Sequence, residues 1–203
     1  MPDDCALLKT VTNKLLINTD LLVEHTHFTN ETISALDLGW KSITSNLSDL
    51  MSSGCDEVLG VKIGLVLTPE TEWSWVKNLY QGINQALVKF GGLIIGGDCS
   101  RGVEKTIAIT AFGTQGKLIL RRYFSSPKEV ILTTGIHGLS KLGLDIKQNK
   151  ISSEILSNQS QLIQDSLNAF CRPEPKPQIL KQLIKSRKKN FKLKIGCTDS
   201  SDG

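Results

Sequence analysis

The spacing of apolar residues divides the chain into alternating strands and helices. Ile33, Leu36, Trp40, Ile43, Leu47 and Leu50 recur three or four residues apart. They form one stripe of an amphipathic helix, with Thr32 or Asn30 placed to cap its start and Gly54 to end it. A second stripe of Val76, Leu79, Ile83, Leu87 and Phe90 predicts a helix from Trp73 to Phe90 that stops at Gly91 and Gly92. Between and around these lie runs that read as strands. They are "CALLK" and "KLLINTD", joined by a polar turn, then Val58 to Thr68, the apolar part of "GGLIIGGDCSR", "KTIAITAFGTQG" and "KEVILTTG". Strands interleaved with helices in this order predict an α/β (α+β) fold in which helices cover a sheet.

From His137 onward the texture changes. The stretch from Ile151 to Phe170 is polar and reads as helical, and "CRPEPKPQ" must leave the helix at its prolines. A basic helix comes next, and "KLKIGCTDSSDG" reads as a strand running into an acidic turn. A lone strand of this kind cannot make a domain by itself.

Composition narrows the class. A chain of 203 residues with 39% hydrophobic content has enough apolar material for a core. The net charge of +4 is mild, and much of the excess sits in "KQLIKSRKKNFKLK", Lys181 to Lys194. With one aromatic residue in that run, a solvated helix face accounts for it better than a nucleic-acid surface. The five cysteines are odd in number and lack any C-x-x-C spacing, which argues against both a zinc site and a disulfide framework and suits a reducing cytoplasm. "MPDDCALLK" lacks the pattern of a secretory leader, and no apolar run reaches membrane-spanning length.

The acids carry the chemistry. "PDDCA" (Asp3, Asp4), "NTD" (Asp20), "NLSDL" (Asp49), "GGDCSR" (Asp98) and "TDSSDG" (Asp199, Asp202) each set a carboxylate at the end of an apolar segment or beside a glycine. Asn46 and Asp49, three apart and off the apolar stripe, share a helix face. Carboxylates brought together repel unless cations neutralise them, and oxygen donors without paired His or Cys favour Mg²⁺. Magnesium points to phosphates, yet the sequence has neither G-x-x-x-x-G-K-[ST] nor G-x-G-x-x-G. Each acid taken singly is also an ordinary turn residue or helix cap.

Taken in order, "DDCALL", "NTDLLVEHTHF", "GWKSITSNLSDLMSSG", "LIIGGDCSRG" and "TDSSDG" resemble the motifs of the thiamine-monophosphate kinase family. That family belongs to the superfamily of aminoimidazole ribonucleotide synthetase and selenophosphate synthetase. The resemblance runs collinearly along nearly the whole chain. It implies a mixed sheet covered by helices on one face, in an amino-terminal domain of the aminoimidazole ribonucleotide synthetase type over 1–136 that binds ATP and Mg²⁺ and dimerises, and the incomplete beginning of a second α/β domain over 137–203. The implied reaction is direct phosphoryl transfer from ATP to thiamine monophosphate, giving thiamine diphosphate, the final step in making that compound. Several Mg²⁺ ions assist, and no covalent catalytic residue takes part. By motif, Asp4, Thr19, Asp20, Asp49, Asp98, Asp199 and Asp202 would hold metal. Tyr80, Gly97, Asp98, Arg122 and Ser201 would contact ATP, and His27 the substrate. The "GGD" would bring backbone close to phosphates, and pairing of two amino-terminal domains would make a homodimer. Neither nucleic acid nor membrane is an implied partner.

Departures from the family pattern accompany this. Met1 and Pro2 stand where the family carries a leading helical segment and a glycine. Asn18 replaces Ser or Thr, and Pro127, Lys128 and Glu129 replace a Pro-Gly-Asp turn. The sequence stops at Gly203 inside the "SDG" motif, so both ends read as truncated. A catalytically inactive remnant that dimerises and binds Mg-nucleotide is therefore the alternative to a working kinase. Plain readings also stand beside single residues: His27 as a structural histidine next to Phe28, Tyr80 as cover for the sheet, and Arg121 as a rival to Arg122. Ser45, Ser48 and Cys99 have no motif-placed histidine to activate them.

Overall fold

The computed structural model describes residues 6–9, 14–151, 157–185 and 195–200. Its centre is a five-stranded sheet in the order β1-β2-β5-β3-β4. The strands are β1 (Ala6–Lys9), β2 (Lys14–Val23), β3 (Cys55–Leu67), β4 (Ile94–Arg101) and β5 (Thr106–Gln115). All neighbours run antiparallel except β3 and β4, which are parallel and joined through a helix. The sheet is mixed, as the family resemblance implies.

Alternation along the strands decides which face is covered. Leu16 on β2, Ile107, Ile109 and Ala111 on β5, and Val61, Ile63 and Leu65 on β3 are buried at every second position. They join one core with Ile43, Leu47 and Leu50 of helix α1 (Ala35–Ser52) and Leu79 and Ile83 of helix α2 (Trp73–Phe90). Each such side chain contributes about 1.5–3 kcal/mol by leaving water. The opposite face of β2 carries Thr19 and Leu21, both exposed, so the helices lie on one side only.

The start of α1 differs from expectation. Ser34 is the N-cap, its hydroxyl accepting the Asp37 N–H at 3.1 Å and donating to Asp37 Oδ2 at 2.9 Å. Thr32 serves the preceding turn, accepting from the Thr29 N–H at 3.1 Å. The reciprocal Ser34–Asp37 pairing satisfies a helix-end donor that neither Asn30 nor Thr32 is close enough in sequence to reach. At the other end Gly54 takes the left-handed φ of 86°, consistent with a glycine stop.

Helices α1 and α2 cross at two glycines. A Cβ at Gly39 would lie 2.0 Å from the Leu79 carbonyl oxygen, and one at Gly82 would lie 1.8 Å from that of Leu36. Only hydrogen at both positions lets the two backbones approach this closely.

Two expected strands differ. "KEVILTTG" forms no strand, and Val130, Ile131 and Leu132 are 84%, 89% and 83% exposed. An apolar run becomes a strand only when a neighbour takes its backbone N–H and C=O groups, and no described strand lies beside it. The strand of "GGLIIGGDCSR" forms, but at the sheet edge, exposed along its whole length and continuing through Asp98 to Arg101.

Beyond the sheet, α3 (Leu139–Lys147) packs on α4 (Ser160–Cys171), again through a glycine: a Cβ at Gly143 would meet the Ser166 carbonyl oxygen at 2.1 Å. The described part of the polar helix expected over Ile151 to Phe170 thus begins at Ser160. The end of α4 is clamped to α1. The Trp40 indole N–H donates to the Pro173 carbonyl at 2.9 Å, and Arg172 stacks 4.6 Å over the Trp40 ring and pairs with Asp37 at 3.1 Å. The basic helix appears as α5 (Pro177–Lys185), and residues 186–194 of the basic run lie outside the described residues.

The glycine crossing gives a direct test. Gly39→Ala or Gly82→Ala should destabilise the fold by about 3 kcal/mol, the upper end of the overpacking range. Gly64→Ala, whose Cβ would rest 3.4 Å from Ala108 Cβ, should cost under about 1 kcal/mol. Urea unfolding of the three variants checks the ordering.

Candidate functional site

A buried polar cluster joins the middle of β2 to the last turns of α1. Asn18 lies on the helix-covered face of β2, 5% exposed, where alternation puts it in line with Leu16. Its amide nitrogen donates to Asp49 Oδ2 at 2.8 Å and to Asn46 Oδ1 at 3.1 Å. Asn46 donates in turn to the Ser42 carbonyl at 2.9 Å. The three-residue spacing of Asn46 and Asp49 thus puts both on one ridge facing Asn18. Asp20, two residues along β2, shares that face. Asn18 Oδ1 is buried with no hydrogen-bond partner. An unpaired buried acceptor costs about 1–3 kcal/mol, and a carboxylate, an amide oxygen and a second carboxylate are the hard-oxygen donors that Mg²⁺ prefers. The residues therefore fit a magnesium ion. Among the described residues no three His, Cys, Asp or Glu side chains gather closely enough to hold a metal without such help.

At the end of β2 the chain makes a tight loop. Val23 and His27 clasp each other: the His27 N–H donates to the Val23 carbonyl at 2.8 Å, and the Val23 N–H donates to His27 Nδ1 at 3.1 Å. Because Nδ1 accepts, a neutral ring carries its proton on Nε2 and offers it outward from an exposed side chain. The plain reading of His27 and the functional one are thus compatible, one nitrogen for each. His25 takes a left-handed φ of 63° to close the loop, and its N–H donates to the Phe28 carbonyl at 2.8 Å.

Asp98 sits elsewhere. It is paired in register with Gly64, and its neighbours Gly97 and Cys99 with Ile63 and Leu65 of the core face. Alternation then directs Asp98 to the uncovered face, with Thr19 and Lys62, while Asp20 and Asp49 belong to the covered one. Thr19 exchanges a hydroxyl hydrogen bond with Thr110 at 2.9 Å on the uncovered face. The order β2-β5-β3-β4 also separates Asp98 from Asp20 by three strand spacings, roughly 14 Å at the usual interval. The acids do not converge within one chain's sheet. Gly97 has a packing reason of its own: a Cβ there would lie 2.1 Å from the Ile63 carbonyl oxygen. On α2, Tyr80 is 36% exposed, and burial, with Cys99 adding, pushes its phenol above the ordinary range.

Two adjacent arginines separate cleanly. Arg121 is buried, donating to the carbonyls of Ser53 and Leu120 at 3.2 and 2.7 Å and to Gln115 Oε1 at 3.1 Å. It ties the end of α1 to the end of β5. Arg122 is exposed, and its Nε donates to Thr198 Oγ1 at 3.1 Å. This meeting exists because Ile195 bridges Leu120 and the Cys197 N–H donates to the Arg121 carbonyl at 3.3 Å, returning the acidic segment to the end of the sheet domain. Arg122 and Asp199 are thereby neighbours through Thr198. Asp4, Ser201 and Asp202 lie outside the described residues.

One pairing at the site has no sequence signal. Glu24, next to the His27 loop, forms an ion pair with Lys105, both side chains 8% exposed. Eighty-one positions separate them, and only the pairing of β2 with β5 brings them together. The cluster of Asn18, Asn46 and Asp49 is partly visible in sequence through the helical spacing.

Known proteins share both the sequence pattern and the fold. The AIR synthase related protein amino-terminal-domain family matches residues 2–115. A thiamine-monophosphate kinase of Prochlorococcus marinus is 42% identical over 201 residues, 99% of this chain and 60% of that protein. The chain thus spans about three-fifths of that relative. Among solved structures, AaThiL complexed with AMPPCP and TMP superposes with a TM-score of 0.80 at 23% identity, over 90% of this chain and 57% of the other. The thiamine-monophosphate kinase of Stenotrophomonas maltophilia K279a superposes with a TM-score of 0.67 at 28% identity, over 89% and 57%.

The Asn18 cluster predicts a metal-dependent stability. Asn18→Asp replaces a donor by a second buried carboxylate facing Asp49, and like charges so close disfavour the ionised form. In chelator the variant should lose about 3 kcal/mol relative to wild type, the cost of an uncompensated buried charge, and millimolar Mg²⁺ should restore most of it. Thermal unfolding with and without magnesium checks this.

Proposed function

Because the chain belongs to the AIR synthase related family, we propose that it phosphorylates thiamine monophosphate with ATP, giving thiamine diphosphate. The observation that carries the reading is the likeness to a thiamine-monophosphate kinase along 99% of the chain. The ligands AMPPCP and TMP of the AaThiL complex supply the substrate classes. On this reading the enzyme is a cytoplasmic phosphotransferase that works on soluble nucleotide. No described helix is long and apolar enough to cross a membrane.

The acceptor is itself a phosphate, already deprotonated at neutral pH, so the transfer needs no general base, and positioning with charge neutralisation carries the catalysis. Magnesium, when bound, supplies neutralisation of the phosphate oxygens. Asp20 and Asp49, with the Asn18 amide oxygen beside them, would hold it on the covered side of β2 and α1, and Thr19 would meet metal from the uncovered face. Asp98 on β4, and Asp4, Asp199 and Asp202 at the ends of the chain, complete the proposed set. Arg122, Tyr80, Gly97 and Ser201 bind the nucleotide: Arg122 brings a fixed cation to the acidic segment, and Tyr80 offers an exposed ring edge for a base. His27 presents its Nε2–H to the acceptor phosphate. Residues 1–136 form the nucleotide-binding and dimerisation domain, and 137–203 begin the second.

Assembly follows from the sheet. With helices on one face, the other face of β2, β5 and β3 and the exposed edge β4 call for cover, and a second copy of the chain supplies it as a homodimer. Such pairing places Thr19 and Asp98 of both chains at the shared interface and leaves the separation of Asp98 from Asp20 in place. The alternative, a chain that self-associates and binds Mg-nucleotide without turnover, is favoured by that same separation.

Calorimetry with an ATP analogue should show binding with Mg²⁺ and none in chelator, and Asp98→Asn should weaken it at least tenfold. A thiamine-monophosphate-dependent release of ADP distinguishes the kinase from the alternative. Analogue binding of equal strength in chelator would sink the metal-bridged reading.

A further inference from the structure

We propose that the buried Glu24–Lys105 ion pair is a positioning device that fixes the tautomer and direction of His27. The inference rests on the reading of His27 as the acceptor-binding residue, but its central observation is independent of any ligand.

Glu24 is the first residue after β2, and Lys105 the last before β5. Their backbones continue the ladder, the Glu24 N–H donating to the Lys105 carbonyl at 2.9 Å. The side chains then close a ring. The Lys105 ammonium pairs with Glu24 Oε1, and the Lys105 N–H donates to Glu24 Oε2 at 3.3 Å. Trp75 of α2 covers the pair, its ring 5.4 Å from the ammonium. Burial raises the Glu24 carboxyl, but hydrogen bonds and charge from Lys105 outweigh it and hold Glu24 ionised below the usual carboxylate range. Glu24 also forms a bridge with Phe28. Both ends of the His25–His27 turn are therefore anchored, one by the Val23–His27 clasp and the other by Glu24 and Phe28.

A pure loop would not need this. Five residues that include a left-handed histidine do not hold one geometry unaided, and a histidine ring has two nitrogens that exchange the proton freely unless one is engaged. The Val23 N–H engages Nδ1 only while Val23 and His27 stay in register, and register at the end of β2 is what Glu24 and Lys105 fix. The same pair ties the short connection between β4 and β5 to the histidine loop. The strand that carries Asp98 and the loop that carries His27 thus share one anchor. Glu24 and Lys105 act through His27 and do not themselves reach the acceptor.

The test uses the full chain with ¹⁵N-labelled histidine. Ring nitrogen correlations of the ligand-free protein should show His27, assigned by its loss in His27→Ala, with Nδ1 unprotonated and Nε2 protonated. Lys105→Met leaves a buried carboxylate and is avoided; Glu24→Gln, which leaves the ammonium, and the neutral pair Glu24→Gln/Lys105→Gln, which removes both charges, keep the shape. Both should retain the far-ultraviolet spectrum but show averaged His27 tautomers, while Lys105→Arg keeps the wild-type signature. In turnover, the double variant should raise KM for thiamine monophosphate at least tenfold with kcat changed less than threefold. An unchanged His27 signature in the double variant overturns the proposal. Global unfolding of both Glu24→Gln and the neutral double variant also overturns it, because the pair would then hold the fold and not the loop. Absence of turnover in wild type would count against the kinase reading alone, and the spectra would still decide the role of the pair.

Discussion

The approach of α1 to α2 is the constraint on which the rest depends. Gly39 and Gly82 remove the Cβ atoms that would collide with the facing helix backbone, and the helices then lie side by side as one layer. That layer presses Ile43, Leu47 and Leu50 into the sheet. It also turns the polar ridge of α1 onto β2, so Asn46 and Asp49 meet Asn18 within hydrogen-bond reach. A helix displaced by the width of one methyl group would break both hydrogen bonds from the Asn18 amide and leave that buried donor unpaired, a penalty of about 1–3 kcal/mol.

The sheet then distributes chemistry between its two faces. The covered face holds Asn18 and Asn46 out of water and Asp49 partly so, where charge and hydrogen bonds act strongly. The uncovered face presents Thr19, Lys62 and Asp98. The loop after β2 carries His27, fastened by its backbone bond to Val23, and Arg122 follows Arg121, whose backbone bonds to Ile195 and Cys197. Rigid elements thus set the positions of side chains that loops alone would leave imprecise.

Much of this was legible in the sequence, and the failures have physical causes. Both long helices could be read because their apolar stripes repeat over many turns, and the limits of α2 agree to the residue. Ser34 was missed as a cap because Asn30, Thr32 and Ser34 are all good cap residues, and only the path of the turn selects one. The run at Val130–Leu132 has strand composition, but pairing depends on a neighbour that local composition cannot supply. The direction of Asp98 was hidden by an irregular step between Val61 and Lys62 where β3 meets β4, which changes the phase of the alternation. Arg121 and Arg122 are chemically identical in sequence, and only burial tells the anchor from the exposed cation.

The pairing of β2 with β5 also has a consequence for how the chain is made. Asn18 is matched with Ala111 and Val23 with Thr106, so the central ladder cannot close until nearly all of the sheet domain has left the ribosome. Throughout that interval α1 and α2 can already meet through their glycines, because they are close in sequence, while their sheet-facing stripes stay wet. Local helix pairing precedes long-range strand closure when loop entropy governs the order. The nascent protein therefore carries α1, β3 and α2 with one apolar side of the helix pair bare until β5 emerges, an interval that slow translation through β5 would prolong.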